Sequence, residues 1–432
     1  MPRSLIVLSF DALATSPLAA YGCSWLETPG LCRLAASSLV FDRVVAASVS
    51  PHDCLSGFFR DRTSGQSVAA AASAAGMTTL LVTDSAEAAE LGGEAFDQCV
   101  RIDSPSGQTD FALADEIEET RFARLLAAAL AHRETLGEAP VLLWIHSATL
   151  ATCWDAPLAL RTADESAEEA EFGEEYGEEF SEYGDAEPDA FDTSDVDSAA
   201  EIEAARESTT PPNFCLDEDA DPDLTLAWMA AYGGQVRAID GLVEVLLDSL
   251  EEGPECDLVL ASTSGFALGE HRWIGAAAGP PRSPRLHLPL MIRRNGSPPL
   301  RSPHLASSDR LAATLLEMVR GSEPQGGELS LLRDAAPEQW ATPPDPLLPI
   351  LSTVAAGAAS AGDFGAGEGD EAIVLRTSPG WFYFRDADGQ DHLYLKPDDR
   401  NDANDIADLK PEVIEQLYSG GGEQPASQDA AR

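Results

Sequence analysis

The sequence predicts an α/β fold: a mostly parallel central sheet covered by helices on both faces, with a small C-terminal antiparallel β subdomain. Three observations predict it. Short apolar runs of strand length recur along the chain, and they lack the polar alternation of a half-exposed strand. Stretches with apolar spacing near 3.6 lie between them, as helices covering a buried parallel sheet require. Near the end, three strand-like runs, AIVLRT, WFYFRD and HLYL, are separated by turn residues.

In chain order, Leu5 to Phe10 (LIVLSF) reads as the first buried strand. Thr79 to Thr83 and Val141 to Ile145 continue the series, followed by Leu258 to Ala261 and Leu288 to Ile292. Ala112 to Leu130 is rich in Ala, Leu and Glu and reads as a helix. Leu226 to Leu250 does too, with Ile239, Leu242, Val243, Leu246 and Leu250 on one stripe. AIVLRT, WFYFRD and HLYL follow as strands, with Asp388-Gly389 as a hairpin signal. Pro411 to Tyr418 reads as a short helix.

These readings divide the chain. Residues 1–162 and 224–345 form the α/β core, and residues 163–223 an acidic, disordered insertion. Residues 346–371 form an Ala/Gly linker, 372–418 the C-terminal β-and-helix subdomain, and 419–432 a polar tail. The insertion holds 24 Asp and Glu against one basic residue, Arg206, and so carries about half of the formal net charge of -47.

At 432 residues and 44% hydrophobic content the chain can bury a large core. Its acidity speaks against nucleic acid, whose phosphates need Lys and Arg, and against anionic membrane surfaces. It leaves room for a basic partner of the insertion. The seven cysteines stand singly with no CxxC pair, which fits reduced thiols better than a zinc site or a disulfide framework. The N-terminal apolar run is short for a signal peptide, and no stretch approaches the roughly 20 apolar residues of a membrane span. The expectation is a soluble, cytoplasmic protein.

A set of ordered motifs adds to this reading. After the first strand and Asp11 come Tyr21-Gly22, Thr28-Pro29, Leu31, Arg33-Leu34-Ala35 and Phe41. Later come AYGGQVRAIDGLVEVLL with Asp240, ASTSGFALGEHRWIG, HLPLMIRRNG, SSDRLAATLLEMV and LYLKPDDRNDANDIAD. In this order they resemble the sulfatase family of the alkaline-phosphatase superfamily, over nearly the whole chain except the insertion and the linker.

That resemblance implies a divalent cation, calcium or magnesium, held by clustered carboxylates beside a nucleophile. Adjacent Asp residues are expected after the first strand, and this chain has Asp11-Ala12. The later pair, Asp-His or Asp-Asn in the family, falls on Thr263 and Ser264, both neutral hydroxyls. The family's C-x-P-S-R signal for formylglycine is absent. Cys54 is followed by Leu-Ser-Gly, and Ser48 and Ser50 stand near the nucleophile position. As plain loop residues these serines would cap the next helix. His146 at a strand end and His271 in GEH are candidate substrate-binding residues, or else anchoring histidines.

Three functions remain open from the sequence. One is a sulfatase-fold pseudoenzyme that binds a small sulfate or phosphate ester. A second is an active hydrolase rebuilt around Asp11, with Asp53 or Asp84 as added carboxylate and Ser50 or Ser48 as nucleophile. The third is an interaction protein acting through the acidic insertion.

Overall fold

The computed structural model describes residues 3–102, 112–137, 139–162, 193–251, 255–277, 279–321, 330–334, 345–347, 351–355, 373–386 and 388–420. Its strands in chain order are β1 (Ser4–Phe10), β2 (Leu39–Val45), β3 (Thr78–Thr83), β4 (Gln98–Arg101), β5 (Val141–Ser147) and β6 (Phe214–Cys215). Next come β7 (Cys256–Ser262), β8 (Ala267–Leu268), β9 (Trp273–Gly275), β10 (His287–Leu288), β11 (Leu290–Arg293) and β12 (Leu300–Ser307). The last four are β13 (Leu351–Ala355), β14 (Ile373–Thr377), β15 (Trp381–Arg385) and β16 (Asp391–Leu395).

The large sheet has nine strands in the order β10-β2-β11-β7-β1-β5-β3-β4, with β12 also pairing β2. Five neighbours, β7, β1, β5, β3 and β4, are parallel. β11 runs against both β7 and β2, so β2 points the same way as β1. The carboxyl ends of β1, β2, β3, β5 and β7 therefore share one edge of the sheet.

The pleat sends successive side chains to opposite faces, and both faces are apolar. Ile6, Leu8 and Phe10 of β1 join one core with Leu143, Ile145, Leu258 and Leu260. Leu5 and Val7 join the other with Leu142, Trp144, Val259 and Ala261. The helices Arg121–Thr135 and Pro222–Glu251 cover the first face. Pro51–Phe59, Val68–Ala74 and Arg310–Arg320 cover the second.

The C-terminal sheet is four-stranded and antiparallel, in the order β13-β14-β15-β16. Phe382, Phe384 and Tyr394 face the large core. Tyr383 and Leu393 face the helix Pro411–Gly420 through Val413, Ile414 and Leu417.

Three sequence expectations need correction. The helix expected from Ala112 begins at Arg121, because residues Ile117–Glu119 form a 3-10 turn and Thr120 caps the helix by accepting from the Ala123 amide. Part of the acidic insertion is ordered: Thr193–Glu207 is helical and packs on Pro222–Glu251, and β6 pairs β9. Residues 163–192 of that insertion lie outside the described residues. β13 falls inside the span read as a linker, where LSTVA has the β-branched content of a strand and pairs β14; residues 356–372 lie outside the described residues.

Candidate functional site at the carboxyl edge

In open parallel sheets the carboxyl ends of the strands are where ligands are held. Here that edge collects Asp11 from β1, Ser147 from β5, Asp84 from β3, and Thr263 and Ser264 from β7. Strand pairing fixes their heights: Phe10 lies opposite both Ser147 and Ser262.

Both carboxylate oxygens of Asp11 are engaged by neighbours. Thr263 Oγ1 donates to Oδ1 at 2.5 Å, and His146 Nε2 lies 3.5 Å from Oδ2. The His146 ring is held from behind. Trp144 Nε1, which can only donate, reaches Ser9 Oγ at 2.9 Å, and Ser9 Oγ lies 2.9 Å from His146 Nδ1. The Ser9 proton is thus free to be donated to Nδ1, the arrangement in which an Nε2 proton faces Asp11. Burial pushes the Asp11 pKa up, but the charge of His146, its contact and the Thr263 hydroxyl outweigh it, and the result lies below 3.8.

Hydroxyls fix the loop after Asp11. Ala12 has the left-handed φ of 64° and donates its amide to Ser264 Oγ at 3.1 Å. Tyr232 Oη donates to the Ala12 carbonyl at 2.7 Å and accepts from the Ala14 amide at 3.0 Å. Ser262 Oγ accepts from the Leu13 amide at 3.2 Å. The strained backbone at Ala12 is thereby held by three side chains of other elements.

These residues do not fit a hard divalent cation. Such an ion takes six or more oxygens, several of them carboxylate. Here one carboxylate is already hydrogen-bonded, Thr263 spends its proton on it, and Ser264 is occupied by an amide. Among the described residues no group of three or more His, Cys, Asp and Glu side chains could hold a metal. Asp84 does not turn to Asp11. It accepts from the Ala148 amide at 2.7 Å and Thr149 Oγ1 at 2.9 Å, and lies 3.5 Å from Arg121 Nε.

The remaining candidates are placed elsewhere. Ser50 caps the helix Pro51–Phe59, accepting from the Asp53 amide at 3.3 Å. Ser48 donates to Asp53 Oδ2 at 3.2 Å and accepts from the Ser50 amide at 3.2 Å. Cys54 is buried, which pushes its thiol pKa up to about 11. His271 Nε2 donates to the Asn401 carbonyl at 2.9 Å, tying the β8–β9 loop to the C-terminal segment. Asp240 receives the amides of Gly30 and Leu31 at 3.0 and 2.7 Å, so it anchors a helix N-terminus. Sequence reasoning missed Ser9, Trp144, Tyr232 and Ser262. Ser9 and Trp144 could have been found by the two-residue spacing that puts Trp144 and His146 on one face of β5.

No protein-family model and no curated protein matches this sequence. Solved structures do. The phosphonate monoester hydrolase of Silicibacter pomeroyi superposes with a TM-score of 0.66 at 17% identity, over 97% of this chain and 94% of that one. BT4656, solved with its substrate D-glucosamine-2-N,6-O-disulfate, gives 0.64 at 17% identity over 97% of each chain. BT1596, a 2-O glycosaminoglycan sulfatase, gives 0.62 at 12% identity over 97% of this chain and 91% of that one. The chain therefore has the fold of the sulfatases and phosphonate monoester hydrolases, along nearly its full length.

Proposed function

We propose that this protein uses the sulfatase fold to bind a small sulfate or phosphate ester, without metal-dependent or formylglycine hydrolysis. The observation that carries this reading is the engagement of Asp11: one oxygen takes the Thr263 proton at 2.5 Å, and the other faces His146. A cation would have to displace both contacts and find further carboxylates. The nucleophile side agrees, since Ser50 is a helix cap and the Cys54 thiol stays protonated at neutral pH. The ligand class rests on the fold neighbours, one solved with a disulfated glucosamine and another a phosphonate monoester hydrolase.

Turnover of 4-nitrophenyl sulfate, 4-nitrophenyl phosphate and a phenylphosphonate ester, with calcium, magnesium or manganese added, tests the reading. The expected result is no metal-dependent rate above buffer. A metal-dependent rate that disappears in Asp11→Ala would overturn it.

A further inference from the structure

A cavity of about 360 Å³ opens between the β10/β2/β12 side of the large sheet and the C-terminal sheet. It shares no lining residue with the Asp11 cluster. Its charge is unlike the rest of this strongly acidic chain: Arg43, Arg301, Lys396 and Arg400 line it, and Asp42 is the single acidic residue in its wall. Two of the four cations are balanced. Arg301 Nε lies 2.5 Å from Asp42 Oδ1, and Lys396 Nζ lies 2.6 Å from the buried Asp402.

Among the described residues the other two have no acidic partner. Arg400 Nη1 donates to the Tyr21 carbonyl at 3.3 Å. Arg43, partly buried on β2, makes no hydrogen bond or ion pair among the described residues, and burial pushes its pKa down with no acidic group opposing it. A partly buried guanidinium left without an acceptor is costly unless a ligand supplies one. His287, also in the wall, cannot supply it. Its Nε2 donates to the Asp42 carbonyl at 2.7 Å, and Nδ1 therefore accepts from Thr15 Oγ1 at 3.2 Å. The ring is neutral, and it ties the loop that follows Asp11 to this wall. The wall also carries apolar residues, Leu286, Pro303, Leu305 and Phe382, and Leu305 stands opposite Arg43 where β12 pairs β2. The volume suits a small organic molecule.

We propose that this cavity is a binding site for a small monoester carrying a tetrahedral oxyanion, its charge met by Arg43 and Arg400 and its organic group by the apolar residues set among them, Phe382 and Leu305. The site rests on the preceding reading for the ligand class alone. A phosphate monoester, with two negative charges, matches the two unbalanced cations better than a sulfate monoester with one.

Calorimetric titration of the full chain with 4-nitrophenyl phosphate, 4-nitrophenyl sulfate, inorganic phosphate and inorganic sulfate tests it. Both esters bind one site more tightly than the inorganic anions, and the ranking of the two esters identifies the oxyanion. Arg43→Met, which keeps the stem and removes the charge, weakens the better ester by about tenfold or more. Arg43→Lys restores part of that loss. Arg400→Gln, at an exposed position where folding is not at stake, weakens it as well. Absence of ester binding to the wild-type chain overturns the proposal. So does unchanged affinity in a folded Arg43→Met variant or, should that variant not fold, unchanged affinity in Arg400→Gln. Absence of all ester binding fails this proposal and the preceding reading together, whereas ester binding that is indifferent to Arg43→Met and Arg400→Gln overturns this site and leaves the preceding reading standing.

Discussion

Single residues at both sites should reveal themselves through pH. Asp11 has a folded-state pKa below 3.8. Its contribution to stability is therefore present above the unfolded value and lost as pH falls through the folded one. Asp11→Asn should lose less stability than the wild type between pH 5 and the acid limit, measured by urea unfolding; equal slopes would mean the carboxylate is not engaged. Thr263→Val at neutral pH removes the hydroxyl from a carboxylate that stays buried, and should cost about 1–3 kcal/mol. His287 acts in a higher window. Burial, aided by the neighbouring Lys396, Arg43 and Arg400 charges, lowers its pKa to about 4 from 6.5. Between those values the unfolded chain binds more protons than the folded one, so stability rises with pH across the window. Folded wild-type protein should lose up to about 3 kcal/mol from pH 7 to pH 4 on this account, and His287→Gln should flatten that slope. The same slope in both chains would rule out His287 as its source.

Elements were legible to the extent that their burial was uniform. β1, β3, β5 and β7 are buried along nearly their whole length, and their central apolar runs made them evident from composition. β2 was missed because Asp42 and Arg43, which line the cavity, interrupt its apolar run (LVFDRVV). β12 was missed for a related reason: Pro303 sits at a register shift between Ser302 and Leu305, where the strand pairs β2. Motif spacing singled out Ala12, Thr263 and Ser264, and the structure brings them together beside Asp11. Their hydroxyl network was not readable, since it joins Tyr232 and Ser262 to the loop after Asp11 across more than two hundred residues of sequence. The same long-range logic governs the helix Pro29–Ala36, whose first amides are satisfied by Asp240 from Pro222–Glu251. Close approach is needed there, and a Cβ at Gly30 would lie 2.4 Å from the Asp240 carbonyl oxygen. Asp240→Ala should cost about 1–3 kcal/mol, because two amides lose their acceptor, and Asp240→Asn should cost less by keeping one. Unfolding midpoints of the pair check this; equal losses would show that the acceptor is not the reason Asp240 matters.

Across the whole molecule, charge is the property that most separates this chain from a neutral α/β protein. A net charge of -47 makes the folded state repel itself, while the cavity between the two sheets concentrates four cations on one small surface. The two features respond to salt with opposite signs. Raising ionic strength from about 0.01 M to about 0.15 M shortens the screening length from about 30 Å to about 8 Å, which relieves the long-range repulsion and should raise the melting temperature. The same salt weakens the attraction of an anion to Arg43 and Arg400, so the thermal shift given by a fixed concentration of 4-nitrophenyl phosphate should shrink. Deleting residues 163–192, which hold 14 Asp and Glu and no Lys or Arg, should flatten the first response and leave the second. Melting curves in a sodium chloride series, with and without ester, for both chains, read all four quantities. A melting temperature that falls with salt would show that ion pairs such as Arg33 with Asp248 and Glu251 outweigh the repulsion. A ligand shift indifferent to salt would place the ester away from the cationic wall.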